Sequence, residues 1–230
     1  MDDPPRAYTP GVSLTAPVPD PGTSGSGTVR YAVVDVETTG LDAHVHRVLE
    51  CAVVELDGDG LELDRWSSLV SVPGDGEPGA SFVHGITRAM LAAAPTFPEL
   101  LPELVRRLSG RVLVGHVLAF DLGHLAHEFA LAGTRLPELG AGGICTRELA
   151  RRHLPPGGRS LALCCAATGI AVHDAHTALG DALSAAGLLR WFIAQGFSGE
   201  WGDAVAAARA TEWPDPGSGP DPSIPRRPPR

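Results

Sequence analysis

The 230-residue chain contains no lysine and no asparagine; all 18 of its basic residues are arginines. Without lysine there is no Schiff-base nucleophile and no phosphate-loop lysine. Phosphate must be met by arginine, hydroxyls, backbone N–H groups or metal ions. Positive charge is itself scarce, with 27 acidic residues giving a net charge of −9. This excludes a basic scaffold that coats nucleic acid through bulk electrostatics, although metal ions can neutralise a phosphodiester site locally. Of four cysteines, Cys164 and Cys165 are adjacent while Cys51 and Cys145 stand alone, so zinc-ligand spacing is absent. Free thiols in a reducing compartment are expected. No apolar run is long enough to span a membrane. The opening MDDPPRAYTP lacks the charged and apolar regions of a signal peptide, so a cytoplasmic protein with no membrane partner is expected.

Residues 1–28 are rich in Pro, Gly, Ser and Thr and read as a disordered arm; residues 213–230 read as a disordered Pro-rich tail. Between them, 29–196 forms one domain, and 197–212 carries an extra helix. The apolar, β-branched run from Tyr31 reads as a buried strand. A second strand covers Arg47–Leu56, and Asp57-Gly58-Asp59-Gly60 is a hairpin turn leading to a third over Leu61–Val72. Thr87 caps a short helix to Leu91, and Thr96 caps Phe97–Leu108, where Pro102 should kink the helix or delay its start. Arg111–His116 is a fourth strand, followed by a helix over Leu122–Ala132. Ile144-Cys145 makes a very short fifth strand. Helices follow over Thr146–His153, from Ser160 to Gly169, and from about Thr177 to Gln195. A three-stranded meander followed by alternating α and β elements predicts an α/β domain with a mixed sheet.

Asp35 and Glu37 interrupt the first strand two residues apart. They therefore project from the same face of a core strand. Carboxylates that close repel unless a cation lies between them, so they mark a divalent-metal site or, more simply, a strand ending in a charged turn. Asp121 lies at the start of a helix, where capping is the plain alternative. Within one helix His176 and Asp181 would stand about 140° apart, so His176 belongs on the preceding loop, from which it can reach the same site. His44 and His46 form a pair in a polar loop with no third ligand nearby and read as surface.

Together these segments resemble the DEDDh branch of the DnaQ-like 3′–5′ exonucleases, a family with an RNase H-like fold. The first motif resembles Val33-Val34-Asp35-Val36-Glu37-Thr38-Thr39-Gly40. The second resembles Val114-Gly115-His116 with Phe120-Asp121, and the third His176-Thr177-Ala178-Leu179-Gly180-Asp181-Ala182. Val83-His84-Gly85-Ile86-Thr87 and the helix from Ser160 to Ile170 also resemble the family. The resemblance spans roughly Val29 to Gly196. Thr38-Thr39 is closer to the polymerase III epsilon proofreading subunit than to oligoribonuclease. Val117 replaces a common Asn and Cys145 a common Asp, neither of them a metal ligand. No clamp-binding peptide follows the domain.

The resemblance implies an RNase H-like mixed five-stranded sheet, three strands antiparallel and then parallel, flanked by helices. It implies a metal-dependent enzyme that releases 5′-nucleotides from 3′ ends of single-stranded DNA or RNA, DNA by preference, with a DNA polymerase as partner. Two divalent ions, Mg²⁺ or Mn²⁺, would be held by Asp35, Glu37, Asp121 and Asp181, with Asp35 bridging. His176 would take the proton from the attacking water. Thr38, Thr39, Gly40, Leu41, His84, His116 and Phe120 would line the substrate site, Leu41 wedging against the last base. A haloacid-dehalogenase-like phosphatase competes through its D-x-D-x-T motif, but that family calls for a later lysine. A non-catalytic nucleic-acid-binding module would leave five intact catalytic positions without a use.

Overall fold

The structure, a computed structural model, describes residues 29–74, 78–79, 81–139 and 142–215. The expected arm 1–28 and all but the first three residues of the expected tail lie outside them. At the centre is β1 (Tyr31–Thr38), whose apolar start is wholly buried. β2 (Val48–Leu56) and β3 (Glu62–Leu69) extend it as an antiparallel meander. The turn between them is closed by Asp57, whose carboxylate accepts from the backbone N–H groups of Asp59 and Leu61. On the other side of β1, β4 (Val112–Gly115) and β5 (Ile144–Cys145) run parallel to it. The five-stranded order is β3-β2-β1-β4-β5, the mixed sheet expected from the sequence.

Helices cover both faces. α3 (Phe97–Leu108) and α4 (Leu118–Leu131) pack with Ala32, Val34 and Val36. α5 (Thr146–His153), α6 (Leu161–Thr168), α7 (Ala178–Ala194) and α8 (Gly202–Ala210) pack with Tyr31 and Val33. Two short helices, α1 (Ser81–His84) and α2 (Arg88–Leu91), lie in the connection after β3. The period-2 alternation of β1 thus separates two cores. Asp35 and Glu37 continue the row of Tyr31 and Val33, and so face α7. α7 carries small residues toward the core, Ala178, Ala182, Ala185 and Ala186, so its axis can approach the sheet closely.

Three local expectations need correction. α3 starts at Phe97 and runs through Pro102, because Glu99 accepts from both the backbone N–H and the hydroxyl of Thr96 and fixes the first turn. α4 begins at Leu118, four residues early, so Asp121 lies inside its first turn and Val117 takes the cap position. The extra helix expected in 197–212 is present as α8, and with the 3₁₀ turn Phe197–Trp201 it buries Trp201 and Ala204 in the α7-side core. Trp213, expected to open the tail, is half-buried against the α3–α4 core. Among the described residues no helix is long and apolar enough to cross a membrane.

Candidate active site and metal centre

Asp35, Glu37 and Asp181 offer carboxylate oxygens that all lie within 4.8 Å of one another. The first two come from the α7-facing row of β1 and the third from the first turn of α7. That turn is fixed by Thr177, whose hydroxyl accepts from Gly180 N–H at 3.1 Å and donates to the Asp174 carbonyl at 2.7 Å. Gly180 is required there, since a Cβ would stand 2.2 Å from the Asp174 carbonyl oxygen.

Asp121 reaches the same place from the other side of the sheet. It lies on α4, and its carboxylate accepts from Val36 N–H at 3.3 Å at the end of β1. A Cβ on Gly115 would stand 3.0 Å from its other oxygen, so glycine at the end of β4 makes room for this acid. It stands outside the group of three that share the 4.8 Å cluster. No arginine is hydrogen-bonded or ion-paired to these four acids among the described residues.

Burial raises the proton affinity of every one, and repulsion from neighbouring acids adds to it at Asp35, Glu37 and Asp121. Asp35 is pushed well above the usual carboxylate range, by burial first and then by Asp121, Asp181, Glu37 and Glu50. Glu37 is pushed up to about 7, by burial and then by Asp181 and Glu50. Burial takes Asp121 to about 8 against the opposing Val36 hydrogen bond. Asp181 is raised by burial and held back by His176. Oxygen-only donors with excess negative charge fit hard divalent cations such as Mg²⁺ or Mn²⁺ better than zinc.

His176 lies on the loop before α7, as expected. Its backbone N–H and its ring lie near enough to Asp181 to lower that acid's proton affinity. Its φ is +63°, the only positive value outside glycine among the described residues. A left-handed histidine costs backbone energy, and such strain concentrates at functional sites.

The expected substrate residues divide into two groups. Thr38 and Thr39 build the turn that ends β1. The Thr38 hydroxyl donates to the Gly40 carbonyl at 2.8 Å, and Thr39 Oγ1 pairs with His46 Nδ1 at 3.1 Å while accepting from Arg47 N–H at 3.0 Å. His46, read as surface, is half-buried there because its ring lies against Gly40. Leu41 projects from this turn, 85% exposed. His84 is buried, and its Nδ1 accepts from Ile86 N–H at 3.0 Å. Its segment meets the turn directly, since a Cβ on Gly79 would collide with the Thr39 carbonyl. His116 and Phe120 face inward instead. His116 is buried with Nδ1 3.0 Å from Thr146 Oγ1 and Nε2 2.9 Å from the Arg159 carbonyl, so both nitrogens are engaged within the protein. Phe120 packs against His124.

Three residues of the site escaped the sequence reading. Glu50 lies opposite Glu37 on β2, and its carboxylate accepts from Ala178 N–H at 3.2 Å, tying β2 to the start of α7. Its signal was an acid in the apolar first half of a strand. His124 is fully buried, with Nε2 3.1 Å from the Gly40 carbonyl. Glu128 accepts from Arg47 at 2.7 and 2.9 Å and from Val48 N–H at 3.0 Å. His124 and Glu128 fasten the substrate turn to the helix that carries Asp121.

Comparison with known proteins agrees with this geometry. Residues 32–189 match the exonuclease family model RNase_T. The DNA polymerase III subunit epsilon of Treponema pallidum is 33% identical over 160 residues, covering 67% of this chain and 72% of the relative. The chain spans 56–64% of three further epsilon subunits. Among solved structures, Exonuclease X in complex with 5′ overhanging duplex DNA superposes with a TM-score of 0.58 at 27% identity, covering 76% of this chain and 99% of that one. The nuclease domain of 3′hExo, a DEDDh family member bound to rAMP, shares the fold with a TM-score of 0.64 at 19% identity, covering 75% of this chain and 96% of that one. The chain thus belongs to the exonuclease family, as a DnaQ-like 3′–5′ exonuclease of the DEDDh branch.

Proposed function

We propose that the protein removes nucleotides from the 3′ end of single-stranded DNA, releasing 5′-nucleotides, with two divalent ions, Mg²⁺ or Mn²⁺, as cofactors. The observation that carries this reading is the set of three carboxylates within 4.8 Å, with a fourth behind them and no arginine paired with any of them among the described residues. When bound, the ions would neutralise charge on the phosphate and lower the pKa of a water. Asp35, Glu37 and Asp181 would hold one, and Asp35 with Asp121 the other. His176, beside Asp181, accepts the proton of the attacking water. Leu41 and the Thr38–Gly40 turn receive the terminal nucleotide, and His84 closes its other side. His116 acts from inside, holding Thr146 and Arg159. A DNA polymerase is the partner that the epsilon likeness favours, with the cytoplasm as the place of action.

The test is digestion of matched 5′-labelled DNA and RNA oligomers with Mg²⁺, with Mn²⁺ and with EDTA. The expected result is a ladder shortening from the 3′ end, faster on DNA and abolished by EDTA. Internal cuts in a circular strand, or a ladder that survives EDTA, would overturn the reading. Faster loss of RNA would reassign the substrate.

A further inference from the structure

Arg147 opens α5, and its surroundings are unusual for this acidic chain. Three other buried or half-buried arginines are matched by acids, Arg47 by Glu128, Arg107 by Glu55, Asp64 and Glu103, and Arg111 by Glu55, while Arg159 is held by backbone carbonyls. Arg147 is also half-buried, yet it has no carboxylate partner among the described residues, and its Nε is buried with no hydrogen-bond partner. It stands in the first turn of a helix, where the dipole disfavours a cation by about 0.3–1 kcal/mol. Nothing within the described chain offsets that placement.

Its location is defined by the strands. β4 runs parallel to β1 with Val114 beside Val33, and Gly115 at its end abuts the Asp121 carboxylate. Arg147 N–H donates to the His116 carbonyl at 3.2 Å, one residue beyond Gly115. β5, which leads into Arg147, is the second strand from β1, so its backbone starts about 10 Å from the acidic end of β1 at the usual strand spacing. On the α6 side, Cys164 feels the charge of Arg147 while the adjacent Cys165 feels that of Asp181. The support is built from His116, which joins Thr146 to Arg159, and from the Arg159 guanidinium, which gathers the carbonyls of Leu154, Pro155, Gly157 and Gly158.

We infer that Arg147 binds a backbone phosphate of the substrate strand, one or two nucleotides upstream of the bond that is cut. The inference rests on the nuclease reading above and adds a subsite to it. A guanidinium suits a phosphate because its paired N–H groups match two oxygens at once. The strand's phosphate supplies the missing anion.

The experiment measures binding of a labelled single-stranded DNA oligomer to the full chain in an Asp181→Asn background, across a range of salt concentrations. Adding Arg147→Gln should weaken binding about fivefold or more and reduce the slope of log affinity against log salt by about 0.7, the value for one phosphate on a single strand. Arg147→Lys keeps the charge and should keep the slope. A single methylphosphonate at the first or second upstream linkage should reproduce the Arg147→Gln loss in the parent and add nothing in the variant. Tight binding with an unchanged slope in Arg147→Gln overturns the inference while leaving the nuclease reading intact, as does an equal loss of slope in Arg147→Lys. A parent that binds no strand overturns both.

Discussion

The two ends of β1 and its neighbour β2 handle buried carboxylate in opposite ways. Beside Ala32, Glu55 is buried with Arg107 at 2.8 Å and Arg111 at 2.7 Å, and Arg107 also holds Asp64 and Glu103. Beside Glu50, a few residues along the same pair of strands, Asp35 and Glu37 meet Asp181 with no arginine of the described residues between them. At one end charge is balanced within the chain, so the network serves the fold. At the other the balance must come from outside, which is the physical content of a metal site. Buried acids alone do not mark function; buried acids without a cation do.

The largest effect that sharpens this contrast is on turnover. Asp35→Asn or Asp181→Asn should lower kcat by at least about 10³-fold, since the ions they would hold would supply several kcal/mol of transition-state stabilisation. Both variants should keep or raise the melting temperature without metal, because each removes a repelled charge. Loss of several degrees in both would mean that this end is structural too.

His176→Ala should lower kcat by about 10²–10⁴-fold, the usual worth of a general base. Metal affinity should change little, and the rate should rise with hydroxide instead of showing the histidine limb. A defect repaired merely by more metal would assign His176 to metal support. At the balanced end, Arg107→Ala should destabilise the fold by about 3 kcal/mol, the cost of leaving a buried acid short of its partner. Its kcat, measured well below the melting temperature, should remain within twofold of the parent. Denaturant unfolding and initial rates check the two halves.

The acidic end also predicts a pH dependence. Glu37 binds its proton more tightly folded, at about 7, than at its ordinary 4.5, and Asp121 is raised in the same direction, to about 8. The folded state therefore holds more protons between those limits. The stability these groups contribute is present below pH 4.5 and is lost as pH rises through 7 to 8. Metal-free protein should melt progressively lower across that range, and added Mg²⁺ should raise the melting temperature more at pH 8 than at pH 5. An equal shift at both would argue against the acids as ligands. The smallest effect is at Glu50. Glu50→Gln keeps an acceptor for Ala178 N–H and should retain most activity, while Glu50→Ala should lose about tenfold, or about 1.4 kcal/mol in the barrier. Rates measured at saturating metal distinguish them.

Much of this was legible in the sequence for specific reasons. Strand period made Asp35 and Glu37 co-facial, and helical period excluded His176 from the helix that carries Asp181. Turn and cap residues marked most element ends. What escaped depended on distant partners. Glu50 looks like any strand acid until Ala178 arrives beside it. His124 and Glu128 look like part of an amphipathic pattern until the turn after β1 folds onto α4. The early start of α4 was hidden because Val117 is no cap residue. Pro102 was overruled by the Thr96–Glu99 pairing at the helix start.

That Asp35 and Glu37 face one helical layer while Asp121 arrives from the other has a consequence for biosynthesis. In chain order the ligands appear at positions 35, 121 and 181, and they converge only once helices have docked on both sides of the sheet. A chain still emerging from the ribosome lacks α7, and with it Asp181 and His176. Domains fold largely as units during synthesis, so the acidic centre is completed only after α7 has been made and has docked. A nuclease made beside messenger and ribosomal RNA is thereby inert until α7 has been synthesised.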